Sequence, residues 1–197
     1  MIRAFQYFFR KPTQATPDKP MSGSQFEIAM VQLASLGQTA QPQDYFEAAK
    51  SALKDFPDKP EVWQHYVDAA FKTQHATTVH ITIRGLVNEA LRKTHLDQEW
   101  NRLIAGVLPK YLTDYSPAPA VNSEAVVVLG TRMLLAQFTG VGIQILREAR
   151  YTRTRKAQTA KAFTVAATHC LTKGLNEEAK QFADDARKML SKKIRAA

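Results

Sequence analysis

No internal disulfide can form in this chain, because Cys170 is the one cysteine in 197 residues. Folding therefore does not depend on oxidation. Glycine and proline are sparse, at 8 and 9 residues, which argues against a turn-rich all-β fold. Hydrophobic residues make up 45% and charged residues 23%. Those near-average fractions exclude wholesale disorder, a collagen-like fibre and a disulfide-knit secreted scaffold. The length allows one domain or a short array of repeats.

Acidic charge is the scarcer kind, with 27 Lys+Arg against 18 Asp+Glu and a net charge of +9. The excess is not evenly spread. Residues 1–20 carry +3, residues 21–140 carry −2, residues 141–161 carry +5 and residues 162–197 carry +3. A basic end can neutralise phosphates, lie on anionic lipid or dock on an acidic protein face. It can equally be a solvated helix face with its cations in water.

Residues 1–11 read MIRAFQYFFRK, with Arg3 and Arg10 spaced among Phe5, Tyr7, Phe8 and Phe9 and no acid before Asp18. That pattern suits a basic amphipathic segment of the mitochondrial-import kind. Arg3, Gln6 and Arg10 break the apolar core that a secretory signal needs. The other reading is a retained arm whose aromatics fill a groove on a partner. Pro12, Pro17 and Pro20 follow and cannot continue a helix, so residues 1–23 read as an arm and linker ahead of a domain at 24–197.

From Ser24 the apolar spacing is helical. Phe26, Ala29, Met30, Leu33 and Leu36 line one face before Gly37, and Ser24 and Glu27 stand in capping-box register. Further helices are predicted at 43–55, with Tyr45, Ala49, Ala52 and Leu53 inward, and at 61–73, with Val62, Trp63, Tyr66, Ala69 and Ala70 inward. Residues 77–94 are ambiguous. Thr77, Thr78, Val79, Ile81, Thr82 and Ile83 suit a strand, but Leu86, Val87, Ala90 and Leu91 continue a helical face, and a helix is expected.

Asp97 is placed to cap a helix through Trp100, Leu103, Ile104, Val107 and Leu108, ended or kinked at Pro109. Residues 114–122 read as a loop. One long apolar helix is expected from Ser123 to about Glu148, then two more near 153–173 and 176–193, separated by Gly174. The reading is all-α: about eight helices in antiparallel hairpins, stacked as a short repeat-like array or bundle.

Residues 125–146 hold a single charge, Arg132, in 22 residues, which is long enough to cross a bilayer. Against a crossing stand the depth of Arg132, polar Thr131, Gln137, Thr139 and Gln144, and Gly130, Gly140 and Gly142. A charge deep in lipid costs roughly 2.5–3.5 kcal/mol on insertion scales. A helix buried in a helical stack has the same composition, and that is the expectation.

Two stretches resemble the tetratricopeptide repeat. Ala49, Ala52, Leu53 and Pro57 look like the end of one repeat, with Trp63, Tyr66 and Ala70 in the next; Phe163, Ala166, Ala167, Gly174, Ala179 and Ala186 look like another. The match covers 45–73 and 162–190. It departs from the pattern at Ala183, where an aromatic is usual, and at Ser191, where proline is common. No period of about 34 residues links the two stretches. The resemblance implies protein-binding or scaffolding work and transfers no catalytic residue.

Catalytic groupings do not emerge from the spacing. His75 and His80 are five apart and do not share a helix face as a zinc pair would, and Cys170 is the only thiol. His169 and Cys170 are adjacent, so on a helix they point about 100° apart. Cys170 reads as a packing residue. Gly140-Val141-Gly142 is followed by Ile145 where a dinucleotide loop needs a third glycine. Glu177, Glu178, Asp184 and Asp185 read as exposed helix-surface charge. No catalytic residue, cofactor or metal is expected.

The sharpest functional candidate is the basic row Arg147, Arg150, Arg153, Arg155 and Lys156, continued by Lys161. At helical spacing Arg147, Arg150 and Arg153 present guanidinium forks to carboxylates or phosphates. Tyr151 within the row can stack on a base or pack on a partner. RNA binding would add Arg187, Lys188, Lys192, Lys193 and Arg195; a membrane surface is a third acceptor.

The sequence therefore leads to a non-enzymatic structural subunit of a large mitochondrial assembly. It would work in the matrix or on the matrix face of the inner membrane, with other protein subunits as partners. The slight lean is to an ATP synthase or respiratory complex. The alternative is a mitochondrial ribosomal or other RNA-contacting protein using residues 147–161.

Overall fold

The computed structural model describes residues 23–93, 97–115, 123–148 and 156–191. Among them are nine α-helices and no strand: α1 (Gly23–Thr39), α2 (Pro42–Asp55), α3 (Pro60–Lys72), α4 (Ala76–Arg92), α5 (Gln98–Asp114), α6 (Ser123–Leu135), α7 (Thr139–Glu148), α8 (Lys156–Thr172) and α9 (Asn176–Ser191). Proline opens α2 and α3, at the position where a missing N–H costs nothing. Asp97 opens α5, its carboxylate accepting the Trp100 N–H at 2.9 Å.

The β-branched stretch is helix α4. Val79, Thr82, Ile83, Leu86, Val87 and Ala90 are buried while Ile81 is 62% exposed. That is a 3.6-residue period, and a strand would bury Ile81 with Val79 and Ile83. Inside α4 the Thr82 hydroxyl is buried without a hydrogen-bond partner. Thr82→Val keeps the shape and removes that penalty, so urea unfolding should show a gain of about 1 kcal/mol. A loss would mean that the hydroxyl is satisfied after all.

Each helix packs chiefly on helices one or two places along the chain. The contacts α1–α3, α3–α5 and α5–α7 make one layer, α4–α6 and α6–α8 make the other, and α8–α9 closes the stack with a tight hairpin. Small residues sit where helices meet: Ala49, Ala70, Ala166, Ala167, Ala179 and Ala186 are all buried. Aromatics fill the spaces between, with Phe46 stacked on Tyr66 at 5.0 Å and Phe163 edge-on to Phe182 at 5.3 Å.

Two sequence expectations are corrected. Of the two outcomes expected at Pro109, an end or a kink, the end is excluded, because α5 runs on to Asp114. Proline removes one N–H from the ladder, but buried Leu108, Tyr111 and Leu112 hold the helix against the core on both sides of it. The single helix from Ser123 to Glu148 is instead the hairpin α6–α7, broken at 136–138. Gln137 takes φ of 68°, and the Phe138 N–H reaches the Met133 carbonyl at 2.9 Å while the Gln137 N–H reaches Leu134 at 3.1 Å. This is a Schellman stop with glutamine in the left-handed place that glycine usually takes.

The break divides the apolar 125–146 stretch. No helix among the described residues is long and apolar enough to cross a membrane. Arg132 spends its charge inside the protein, donating from Nη1 to the Ala90 carbonyl in the last turn of α4 at 2.8 Å.

Candidate protein-docking groove

Of the residues singled out from sequence, Phe5, Tyr7, Phe8, Phe9, Arg150, Arg153 and Arg155 lie outside the described residues. Lys156 opens α8, its side chain outside them too. Arg147 is in the last turn of α7, and its Nη2 lies 4.0 Å from Glu178 Oε1 on α9. Glu177, Lys180, Gln181 and Asp184 complete a mixed-charge depression of about 360 Å³ around that contact. The described end of the basic row thus faces carboxylates of its own chain. An exposed pair of this kind contributes at most about 1 kcal/mol, so its interest is in what it occupies.

Cys170 is buried, as a packing residue should be. Burial pushes its thiol up, with Glu178 adding to the effect and Arg147 opposing it. The neighbouring His169 is hydrogen-bonded through Nε2 to the Thr139 hydroxyl at 3.0 Å, tying α8 to the start of α7.

Lysines in the middle of the chain lie over aromatic rings. Lys59 stands 5.2 Å from the Phe26 centroid, Lys72 is 5.4 Å from Tyr45, Lys93 is 4.7 Å from Trp100 and Lys110 is 4.7 Å from Phe71. Each brings its ammonium within cation–π reach of a ring of its own chain. These cations serve the fold first.

A second concavity lies where α1, α3 and α5 meet. A groove of about 340 Å³ is lined by Met30 from α1, by Pro60, Glu61, Gln64 and His65 from α3, and by Glu99, Arg102 and Leu103 from α5. The helical period explains the lining. Glu61, Gln64, His65 and Asp68 recur at three and four residues and make one polar stripe of α3. Glu99, Arg102 and Leu103 do the same on α5. Met30, Pro60 and Leu103 supply apolar floor.

The electrostatics of the groove are unbalanced. Glu61 Oε2 is buried and has no hydrogen-bond partner. Neither Glu61, Glu99 nor Arg102 makes an ion pair with any described residue. First-turn carboxylates gain from the helix dipole, but a buried oxygen with no donor remains costly. Behind the groove, His65 Nδ1 and the Tyr45 hydroxyl are 2.6 Å apart. Burial lowers the His65 pKa, Asp68 pulling the other way, and pushes the Tyr45 phenol up to about 12, with Asp68 adding. Both groups are thus held neutral and hydrogen-bonded to each other.

The pair makes stability depend on pH at both ends. Unfolded, His65 takes its proton at 6.5; folded, it does so lower, so acid favours the unfolded chain. Unfolded, Tyr45 loses its proton near 10.0, and folded near 12, so stability also falls as pH rises through that window. Urea midpoints should therefore drop from about pH 8 to about pH 5, and His65→Gln should flatten that limb. An unchanged acid limb in His65→Gln would remove His65 as its source.

Sequence reasoning passed over this groove. Glu61, His65, Glu99 and Arg102 were visible as polar residues, but nothing in the spacing says that the stripes of α3 and α5 lie side by side. Among the described residues no three His, Cys, Asp or Glu side chains gather as metal ligands would. No family model matches the chain, and neither a curated protein nor a solved structure matches it.

Proposed function

We propose that this chain is a non-enzymatic structural subunit that holds neighbours together in a large mitochondrial assembly. One observation carries the docking part: an open groove across α1, α3 and α5 whose charged lining, Glu61, Glu99 and Arg102, makes no ion pair with the described residues of its own chain. Burying such charges is unfavourable unless they are paired. The stacked hairpins are proposed to be tetratricopeptide-like, an arrangement suited to presenting such a face. The compartment rests on the Arg-and-aromatic pattern of residues 1–11, and the assembly expected is an energy-transducing membrane complex.

Native complex profiling of the tagged protein from gently solubilised mitochondria, with and without nuclease, tests this reading. A heavy peak that survives nuclease is expected. Migration as a free monomer would sink it. Loss of the peak with nuclease would move the bet to RNA contact through Arg150, Arg153 and Arg155, whose reversal to Glu should then abolish RNA retention. The engagement of lysine ammoniums by aromatic rings and of Arg147 by Glu178 favours the protein partner.

A further inference from the structure

Glycines inside helices normally have a reason here. A Cβ at Gly37 would meet the Tyr45 ring at 3.1 Å, at Gly85 the Trp63 ring at 3.3 Å, at Gly130 Leu146 at 2.7 Å and at Gly142 Leu134 at 2.7 Å. Each lets a neighbour come close. Gly140 is open but stands in the first turn of α7, and Gly174 is a turn residue with φ of 73°. Gly106 fits neither case. It sits in the middle of α5, exposed, and a Cβ there would meet nothing within 4 Å. A mid-helix glycine weakens its helix relative to alanine, and no described part of the chain uses the space.

Gly106 is one turn beyond Arg102 and lies on the same face of α5. The open glycine therefore continues the groove that holds Glu61 and Glu99. Two independent features meet on one face: carboxylates without a cation, and a helix surface with no side chain. The first calls for a positive group and the second for a close backbone.

We propose that the α3–α5 face receives a basic helix of a neighbouring subunit, its lysine or arginine reaching Glu61 and Glu99 while its backbone crosses α5 at Gly106. Charge complementarity selects the cation. Arg102, the cation on the groove wall, pairs with neither carboxylate. Close approach selects the helix, since two helices need a small residue at the crossing, as Gly130 and Gly142 provide between α6 and α7. Apolar Met30, Pro60 and Leu103 give the partner's stems a surface to lie on. The inference rests on the subunit reading above and deepens it by naming the partner's chemistry.

The experiment begins with the isolated full chain. Gly106→Ala should raise its melting temperature by about 2–4 °C, the shift that restoring a helix-forming residue gives a chain of this size. A lower melting temperature would mean that the glycine serves its own fold, and the proposal falls. A photo-crosslinking amino acid is then placed at Gln64 in the full chain within its native assembly, and the captured peptide is sequenced by mass spectrometry.

A helical segment with Lys or Arg within one turn of the crosslink is expected. Its yield should drop at least about tenfold in Glu61→Gln/Glu99→Gln. Gly106→Leu should abolish it while circular dichroism stays unchanged. An acidic or uncharged segment, a nucleic acid, a second copy of this chain or no crosslink would overturn the proposal. If the heavy peak persists in any of those cases, the subunit reading stands without it; migration as a free monomer overturns both.

Discussion

Trp100→Ala is expected to cost roughly 3–5 kcal/mol, the range for removing a large aromatic from a packed interior. Trp100 is 2% exposed and among the largest buried side chains of the described chain. Its indole lies 6.5 Å from that of Trp63, which in turn donates from Nε1 to the Pro57 carbonyl at 2.8 Å. The Lys93 ammonium closes over the outer face of Trp100 at 4.7 Å. This one ring therefore joins α3, the end of α4 and the start of α5. Domains of ordinary size have about 5–15 kcal/mol in total, so the variant should lose about a fifth of its stability or more. Urea unfolding followed by circular dichroism reads the loss without relying on the deleted fluorophore. A cost under about 1 kcal/mol would mean that α3 and α5 do not share the core shown here, and the groove between them would go with it.

Where the sequence was a good guide, one signal dominated: apolar residues returning every three or four places beside a recognisable start or stop. That signal found α2 and α3 to within a residue, since Pro42, Pro60 and the buried faces of Tyr45 and Trp63 all agree. It also resolved α4 against its β-branched composition, because packing of Leu86 and Ala90 outweighs a small local preference. It placed α8 and α9, separated by Gly174 in the left-handed conformation that glycine adopts without strain.

It failed where the stop had no chemical mark. Between Leu135 and Thr139 stand Ala136, Gln137 and Phe138, none of them a breaker, and the chain turns through Gln137 at positive φ, closed by the bonds from the Phe138 and Gln137 N–H groups back to Met133 and Leu134. Pro109 erred in the other direction as a stop, since α5 continues past it. The groove was illegible for a third reason: it is a property of two stripes brought together, and Glu61 and Glu99 are 38 positions apart in sequence. Only the depth of the α1–α3–α5 layer makes them neighbours in one concavity.

The same turn at Gln137 leads to the second large effect. Gly142→Ala should destabilise the chain by about 2–3 kcal/mol, although alanine in place of a helical glycine usually gains about 1 kcal/mol. The sign reverses because of what the new Cβ meets. Leu134 Cγ would be 2.7 Å away, Leu134 Cδ2 2.8 Å and the Gly130 carbonyl oxygen 2.9 Å. Leu134 is fully buried and has no free side to swing into, and the carbonyl belongs to the backbone of α6. The helices must part, and the hairpin that replaces the expected long helix loosens with them. Leu134→Ala, itself destabilising by about 2–5 kcal/mol, separates the two sources of the clash. On that background Gly142→Ala should cost less than alone, by about 1 kcal/mol or more, because the leucine no longer opposes the new methyl. What remains is the carbonyl contact. Full additivity in urea unfolding would place the whole clash on the backbone, whereas a stabilising Gly142→Ala would deny the α6–α7 crossing altogether. The comparison with Gly106→Ala is the control within one molecule: the same atom is added to a helical glycine, and the neighbours decide the sign.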